Sequence, residues 1–372
     1  PVFCALFCAM AEWFYRGTPR ADESWFWLGC VAVTALAATF GENRVWEGYT
    51  PLFTHAFAVY YVLCRSGRLL EGESGQLLPL DALFGLIVFP FKHLFLRIRT
   101  VSFALTHRKT GEETHPAAWA AMAVGALLAL GLLALAVREL SGADAAFDAW
   151  TQKLLGVFQW RLNEQTLWNV LLSLPVGAYL FGLIAGTGRE KIEAVRARGE
   201  RVNAALGSLR KVPVAVWTAA LGVFAALYLA FFSLQAGYLF GAFVKMIPDG
   251  YTIAEYARQG FFSLCRVMAV NFALLWLVTR ACVKPVRQEK TLLLLCAVLL
   301  CQSLVFAAIA ASKLYLYISS YGFTPRRLQS AWLIAVLAAG TGCALYSLVT
   351  GKKAVRYWML FSAATLMLLS LY

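Results

Sequence analysis

Long apolar runs separated by short clusters of charge set the pattern of this chain. Many of the runs approach or exceed the ~18–20 residues that a helix needs to cross a bilayer. About eleven can be read. They cover Pro1–Tyr15, Trp25–Phe40, Val45–Cys64, Leu77–Leu96, Ala117–Val137, Thr166–Ala185, Pro213–Phe240, Ala254–Leu277, Leu292–Ser312, Arg327–Val349 and Tyr357–Leu371. Ala117–Val137 is the cleanest; Leu77–Leu96 is interrupted by Asp81 and Pro90. The pattern predicts an all-α fold, a polytopic membrane helix bundle occupying residues 1–372 as a single domain, with neither internal repeat nor soluble domain.

Two connecting stretches have helical periodicity of their own. In Arg189–Lys211, apolar Ile192, Val195, Val202, Leu206 and Leu209 recur at helical spacing, with Arg196, Arg198 and Arg201 between them. That predicts a basic amphipathic helix, suited either to anionic lipid headgroups or to a protein partner. Phe147, Trp150, Leu154 and Phe158, followed by Trp160, predict a shorter interfacial helix.

Composition agrees with the pattern. The chain has 372 residues, 60% hydrophobic and 14% charged, with a mean hydropathy of +0.66. A water-soluble domain has roughly 45–50% apolar and about 25% charged residues, so this chain is not one. The formal charge is +13. No basic stretch is interleaved with stacking aromatics, so nucleic acid is not an expected partner. The excess reads instead as the positive-inside bias and contact with anionic headgroups. The Lys and Arg residues favour the even-numbered loops, such as 189–211 and 280–290. By that rule the even loops and the N-terminus are expected in the cytoplasm and the C-terminus outside. Pro1 opens directly into an apolar run with no initiator Met, so upstream residues are expected to have been removed.

The tools of intramembrane catalysis are missing from the sequence. The four histidines, His55, His93, His107 and His115, form no zinc-binding motif. There is no GxSxG elbow, no P-loop and no pair of carboxylates within one run spaced to share a proton. The nine cysteines show no CxxC. Neither cofactor nor metal is expected, and a non-enzymatic role is favoured.

Ionisable and polar residues inside apolar runs are the remaining signal, because a charge in hydrocarbon is usually paired or faces a wet cavity. Arg258 and Arg266 lie eight residues apart, ~12 Å along a continuous helix, with Asn271 about a turn further. They suggest a polar seam that either binds an anion or pairs with Glu12, Asp81 or Glu255. Gln235 lies within another run, Pro213–Phe240, where interhelical hydrogen bonding is the plain reading. Lys313, Tyr317 and Tyr321 recur every four residues. Gly322 ends that helix, Thr324 suits an N-cap and Pro325 the first helical position. Arg326 and Arg327 then fall in a first turn, where the helix dipole disfavours cations, which suggests an anionic neighbour.

Two stretches carry a resemblance. Asp249–Phe262, with Thr252, Glu255, Tyr256, Ala257, Arg258 and Gly260, resembles the "G-T-x-x-E-Y-A-R-x-G-F" signature of uncharacterised bacterial multi-span proteins. These are the four-one-five-three and four-one-seven-three types of domains of unknown function. Tyr317–Arg327 resembles the "Y-G-x-T-x-x-R" turn of the same group, and Gln235–Gly241 fits it as well. The resemblance covers the C-terminal half. It implies a bacterial cytoplasmic membrane and a many-helix fold, and brings no activity, cofactor or substrate. It adds weight to Glu255, Tyr256, Arg258, Tyr321 and Arg327. The leading expectation is transport or binding of a small or amphipathic solute. The alternative is a non-catalytic sensor or accessory subunit with a membrane or cytoplasmic protein partner at the 189–211 helix.

Overall fold

The computed structural model describes residues 1–40, 48–106, 164–237, 241–244, 250, 252–258 and 260–371, with scattered positions between 125 and 151. Its elements in chain order are α1 (Val2–Phe14), α2 (Ser24–Phe40), α3 (Thr50–Ser66), α4 (Leu78–Leu83), α5 (Phe89–Lys92), α6 (Leu96–Thr106) and α7 (Glu164–Phe181). They continue with α8 (Ile192–Gly207), α9 (Val214–Leu234), α10 (Ile253–Arg258), α11 (Phe261–Ala281), α12 (Lys290–Tyr321), α13 (Pro325–Thr350) and α14 (Val355–Ser370). No strand occurs among the described residues; a single bridge joins Val212 to Cys282.

The helices fall into two compact units, Pro1–Ala82 with Lys191–Tyr372, and Leu83–Glu190. In the larger unit α12 is the axis, packed by α9, α10, α11 and α13. Its core holds Leu292, Cys296, Leu299, Phe306 and Ile309 against Leu221, Leu264, Met268 and Val278. Tyr228 and Phe306 meet edge to face at 5.1 Å, a favoured aromatic geometry. The outer face of α9 exposes Val216, Val223, Leu227 and Leu234. That face suits lipid, since helices in hydrocarbon associate by close packing and polar contacts rather than by hiding apolar surface from water. Around α2, α3 packs most closely, with α1 beside both and α14 bridging α2 to α13. Gly340 lets α14 approach: a Cβ there would lie 2.7 Å from the Trp358 ring.

In the smaller unit, α5 and the continuation of α7 cross at two π-turns, Phe84–Val88 and Gly182–Gly186. A Cβ at Gly182 would sit 2.6 Å from the Pro90 carbonyl oxygen, and one at Gly186 2.5 Å from His93 Cβ. Only glycine allows so close a crossing. At its end, Lys92 Nζ donates to Glu190 Oε1, which lies 3.3 Å from His93 Nε2.

Among the described residues, five helices are long and apolar enough to cross a membrane, or six if the bent pair Leu78–Lys92 and Leu96–Phe103 counts as one. The eleven expected spans therefore need correction. The first, second and last become helices of 13, 17 and 16 residues, the shortest only ~20 Å long. The eighth is broken at Gly260, whose φ of +83° turns α10 into α11. The ninth runs on to Tyr321, and the seventh stops at Leu234. The basic amphipathic stretch is helical over Ile192–Gly207. Most of 117–137, and Leu154, Phe158 and Trp160, lie outside the described residues; the Phe147 and Trp150 rings are tilted by 38° with centroids 5.9 Å apart.

Alternation of the loops also needs correction. Segments 15–23 and 67–77 were expected on one face, and 189–211, 282–289 and 351–354 on the other. In the larger unit all five meet at one end. A Cβ on Gly67 would lie 2.7 Å from the Pro19 carbonyl oxygen. Gly199 of α8 packs on the Leu70 carbonyl, and Arg196 lies beside Gly72. Arg280 donates to Gln76, Arg356 Nη1 to Glu73 Oε2 at 3.2 Å, and Arg287 to the Val349 carbonyl at 3.0 Å. An even number of crossings must therefore separate residue 77 from residue 191, where three were expected. Glu73→Cys and Glu200→Cys are accordingly expected to react with an impermeant maleimide from the same face of sealed vesicles. Reaction from opposite faces would restore the original alternation.

Candidate functional site

The motif residues gather at the opposite end of the larger unit, where α10, α11, α12 and α13 meet. Thr252 and Glu255 form a reciprocal capping box. Thr252 N–H and O–H donate to Glu255 Oε2 at 3.1 and 2.7 Å, and Glu255 N–H donates to Thr252 Oγ1 at 3.3 Å. Such a box satisfies the orphan donors of a helix start, so Glu255 is an exposed structural cap. It aims Tyr256 inward, where the ring is fully buried. Lys313 Nζ sits 4.3 Å from the centre of that ring, with the side chain 1% exposed and the Gly260 turn beside it.

Depth follows from helix length. Lys313 lies 23 residues beyond Lys290, hence ~35 Å along α12, past a hydrocarbon layer of ~30 Å. That separation exceeds the hydrocarbon thickness, so Lys290 and Lys313 do not both lie inside it. One turn on, Tyr317 and Tyr321 meet with centroids 5.3 Å apart. The Arg327 guanidinium lies 4.0 Å over Tyr317 and 5.9 Å from Tyr321, and donates to the Gly322 carbonyl. Thr324 is the N-cap of α13 and Pro325 follows, but the Thr324 hydroxyl makes no cap bond. Arg326 is exposed. Among the described residues, neither Arg326 nor Arg327 has a carboxylate within ion-pair distance. The result is a cationic, aromatic cradle.

The structure does not assemble the expected seam. The Gly260 turn puts Arg258 and Arg266 on different helices, and both are exposed. Arg258 Nε donates to the Ala254 carbonyl at 3.3 Å, and Arg266 Nη2 to Ser263 Oγ at 3.1 Å. Asn271 points elsewhere, into the bundle, and is 1% exposed. It accepts from Tyr228 O–H and donates to Ser303 Oγ, each at 2.8 Å, tying α9, α11 and α12 together. Gln302 donates to the Ala225 carbonyl at 3.0 Å. Gln235 is an exposed helix end. Around α8, Val195 and Gly199 are buried on protein while Arg196 and Arg201 are exposed and Arg198 is half-buried.

Two charge clusters escaped sequence reasoning. Arg65, 6% exposed, donates to Glu12 Oε2 and to the Tyr15 carbonyl, both at 2.7 Å. Tyr61 O–H donates to the other Glu12 oxygen at 2.8 Å. The partners are 53 residues apart, so spacing gives no signal; the clue is an Arg and a Glu inside apolar runs. The second cluster, Glu23, Ser74 and Asp81, lies at the basic end. No three His, Cys, Asp or Glu among the described residues are placed to hold a metal, and all nine cysteines are free.

Long apolar helices joined by buried polar links define a polytopic helical membrane protein. A model of the family described as Domain of unknown function (DUF4153) matches residues 3–372, so the chain belongs to that family. No curated protein and no solved structure matches it.

The geometry separates structural from peripheral polar residues. Asn271→Leu strands Tyr228 and Ser303 and is expected to cost ~1–2 kcal/mol in unfolding in mild detergent. Arg266→Leu, on an exposed face, is expected to stay within ~0.5 kcal/mol of the parent. A larger loss at Arg266 would return it to the bundle's polar core.

Proposed function

We propose that this protein binds an anionic, amphipathic solute at the boundary of a bacterial cytoplasmic membrane, as part of its transport or presentation. The observation that supports this reading is the Arg327 guanidinium held over Tyr317 and Tyr321 beside Arg326, with no carboxylate in ion-pair range among the described residues. A guanidinium fixed on aromatic faces keeps its outer N–H donors available to a carboxylate or phosphate. The tyrosine rings offer an apolar surface to the rest of an amphiphile.

In this reading the opposite, basic end faces the cytoplasm. It gathers Arg16, Arg20, Arg65 and Arg68 with Lys191, Arg196, Arg198, Arg201, Arg210 and Lys211. Arg280, Lys284, Arg287, Lys290, Lys352, Lys353 and Arg356 add to it. The other end of the described unit has Arg258, Arg266, Lys313, Arg326 and Arg327. In this reading the end of α1, with Arg16 and Arg20, lies on the cytoplasmic face. The accessory-subunit reading keeps one support of its own: α8 is anchored by Val195 and Gly199, so its exposed face is a rigid basic platform.

Native mass spectrometry of the protein extracted gently from its membrane tests the choice. A bound small anion or lipid, retained by wild type and lost from folded Arg327→Gln and Lys313→Met, is the expected result. An empty chain, or a bound species indifferent to both substitutions, would remove the cradle from consideration. A stoichiometric second protein released by reversing Arg196 and Arg201 would favour the platform instead.

A further inference from the structure

A second polar cluster stands at the basic end, independent of the cradle. Glu23, just before α2, and Asp81, in α4, are 5% and 2% exposed. Each carboxylate spends one oxygen on a backbone donor. Ser74 N–H donates to Glu23 Oε1 at 2.8 Å, and Leu70 N–H to Asp81 Oδ1 at 2.9 Å. The second oxygen of each, Glu23 Oε2 and Asp81 Oδ2, is buried with no hydrogen-bond partner among the described residues.

Two donors in the same cluster are equally stranded: Ser24 Oγ and Trp27 Nε1 are buried without partners among the described residues. Ser24 adjoins Glu23. Trp27 lies one turn along α2, its ring 4.6 Å from Tyr60. The Tyr60 hydroxyl donates to Ser74 Oγ at 2.9 Å, which returns the contact to the segment that holds Glu23. A buried polar group left unpaired is costly, so four in one cluster point to something that bridges them. Water does this: it donates and accepts at once, and buried water typically meets two to four polar groups.

Charge makes a further demand. Arg356 Nε lies 3.6 Å from Glu23, on the oxygen that Ser74 already bonds. Lys353 is 3.7 Å from Glu71, and Arg356 also serves Glu73. Tyr60 and Cys64 of α3 face the cluster without positive charge, and Arg196 of α8 lies by Gly72. No cation is within ion-pair distance of Asp81 among the described residues. Buried carboxylate charge in excess of its partners is relieved most simply by a proton.

We propose that Glu23 and Asp81, bridged by water held on Ser24 and Trp27, form a proton-binding site. One proton, taken from bulk water, adds to Asp81, which has no cation within ion-pair distance among the described residues, and reduces the pair's charge from two negative to one.

Infrared difference spectra of the full chain in proteoliposomes, with pH stepped through neutrality, test this. A carboxylic C=O stretch that appears as pH falls is expected in wild type. It should vanish in Asp81→Asn, and its midpoint should fall to lower pH in Glu23→Gln, which removes a neighbouring negative charge. Trp27→Phe and Ser24→Ala, which keep both carboxyls, should move its midpoint by about one pH unit, tenfold in proton affinity. No titrating carboxyl in wild type would overturn the proposal, as would a band untouched by both carboxyl substitutions. If neither carboxyl variant folds, an unmoved midpoint in both Trp27→Phe and Ser24→Ala would overturn it.

Discussion

The segment 67–77 is the joint on which the larger unit depends. It is short, yet it binds helices from both ends of the chain. Its backbone N–H groups reach Glu23 of the α1–α2 turn and Asp81 of α4. Its carbonyl at Leu70 receives Gly199 of α8, and its acidic side chains receive Lys353 and Arg356 before and within α14. A loop buried this deeply must satisfy its polar groups internally, and the carboxylates do so. Side-chain charge here does the work that a further turn of helix would do elsewhere.

That joint also explains what the sequence could disclose. Helical periodicity carried the long elements: α8, α12 and α13 follow from apolar spacing and from end signals such as Gly322 and Pro325. A parity of crossings is not encoded in any single segment. It depends on every segment between residues 77 and 191 being counted correctly, and Leu77–Leu96 breaks at Lys92 into a bent pair. A charge at Asp81 within that run marked an irregular segment, and its physical meaning was an anchor for the Leu70 N–H. The Glu12–Arg65 pair was invisible for a different reason, since contact between α1 and α3 is a property of the fold.

The candidate residues divide along the same line. Glu255, in a threonine-to-glutamate spacing of three, is a helix cap by local chemistry alone, and the capping box was readable as such. Arg258, Arg266 and Asn271 looked collinear only while residues 253–281 formed one straight helix. The left-handed turn at Gly260 cancels that alignment. Lys313, Tyr317, Tyr321 and Arg327 depended on two neighbouring helices and one turn, Tyr321 to Pro325, and these short-range relations persist.

The two ends of the larger unit differ in how they hold charge. At the basic end, carboxylates take several of the cations, Arg65 with Glu12, Lys284 with Glu289, Lys353 with Glu71 and Arg356 with Glu23 and Glu73, while Arg20 and Arg68 lie over the Trp25 and Tyr15 rings. At the other, Arg327 rests on aromatic faces and Glu255 is committed to its own helix start. Pairing holds protein to protein and leaves little for a ligand; stacking orients a cation while leaving its outer donors unspent. A carboxylate partner would consume the outer N–H donors of Arg327, whereas two tyrosine faces orient the guanidinium and leave those donors unspent. The choice of aromatic over acidic neighbours is therefore the physical argument for a ligand at that end and for architecture at the other.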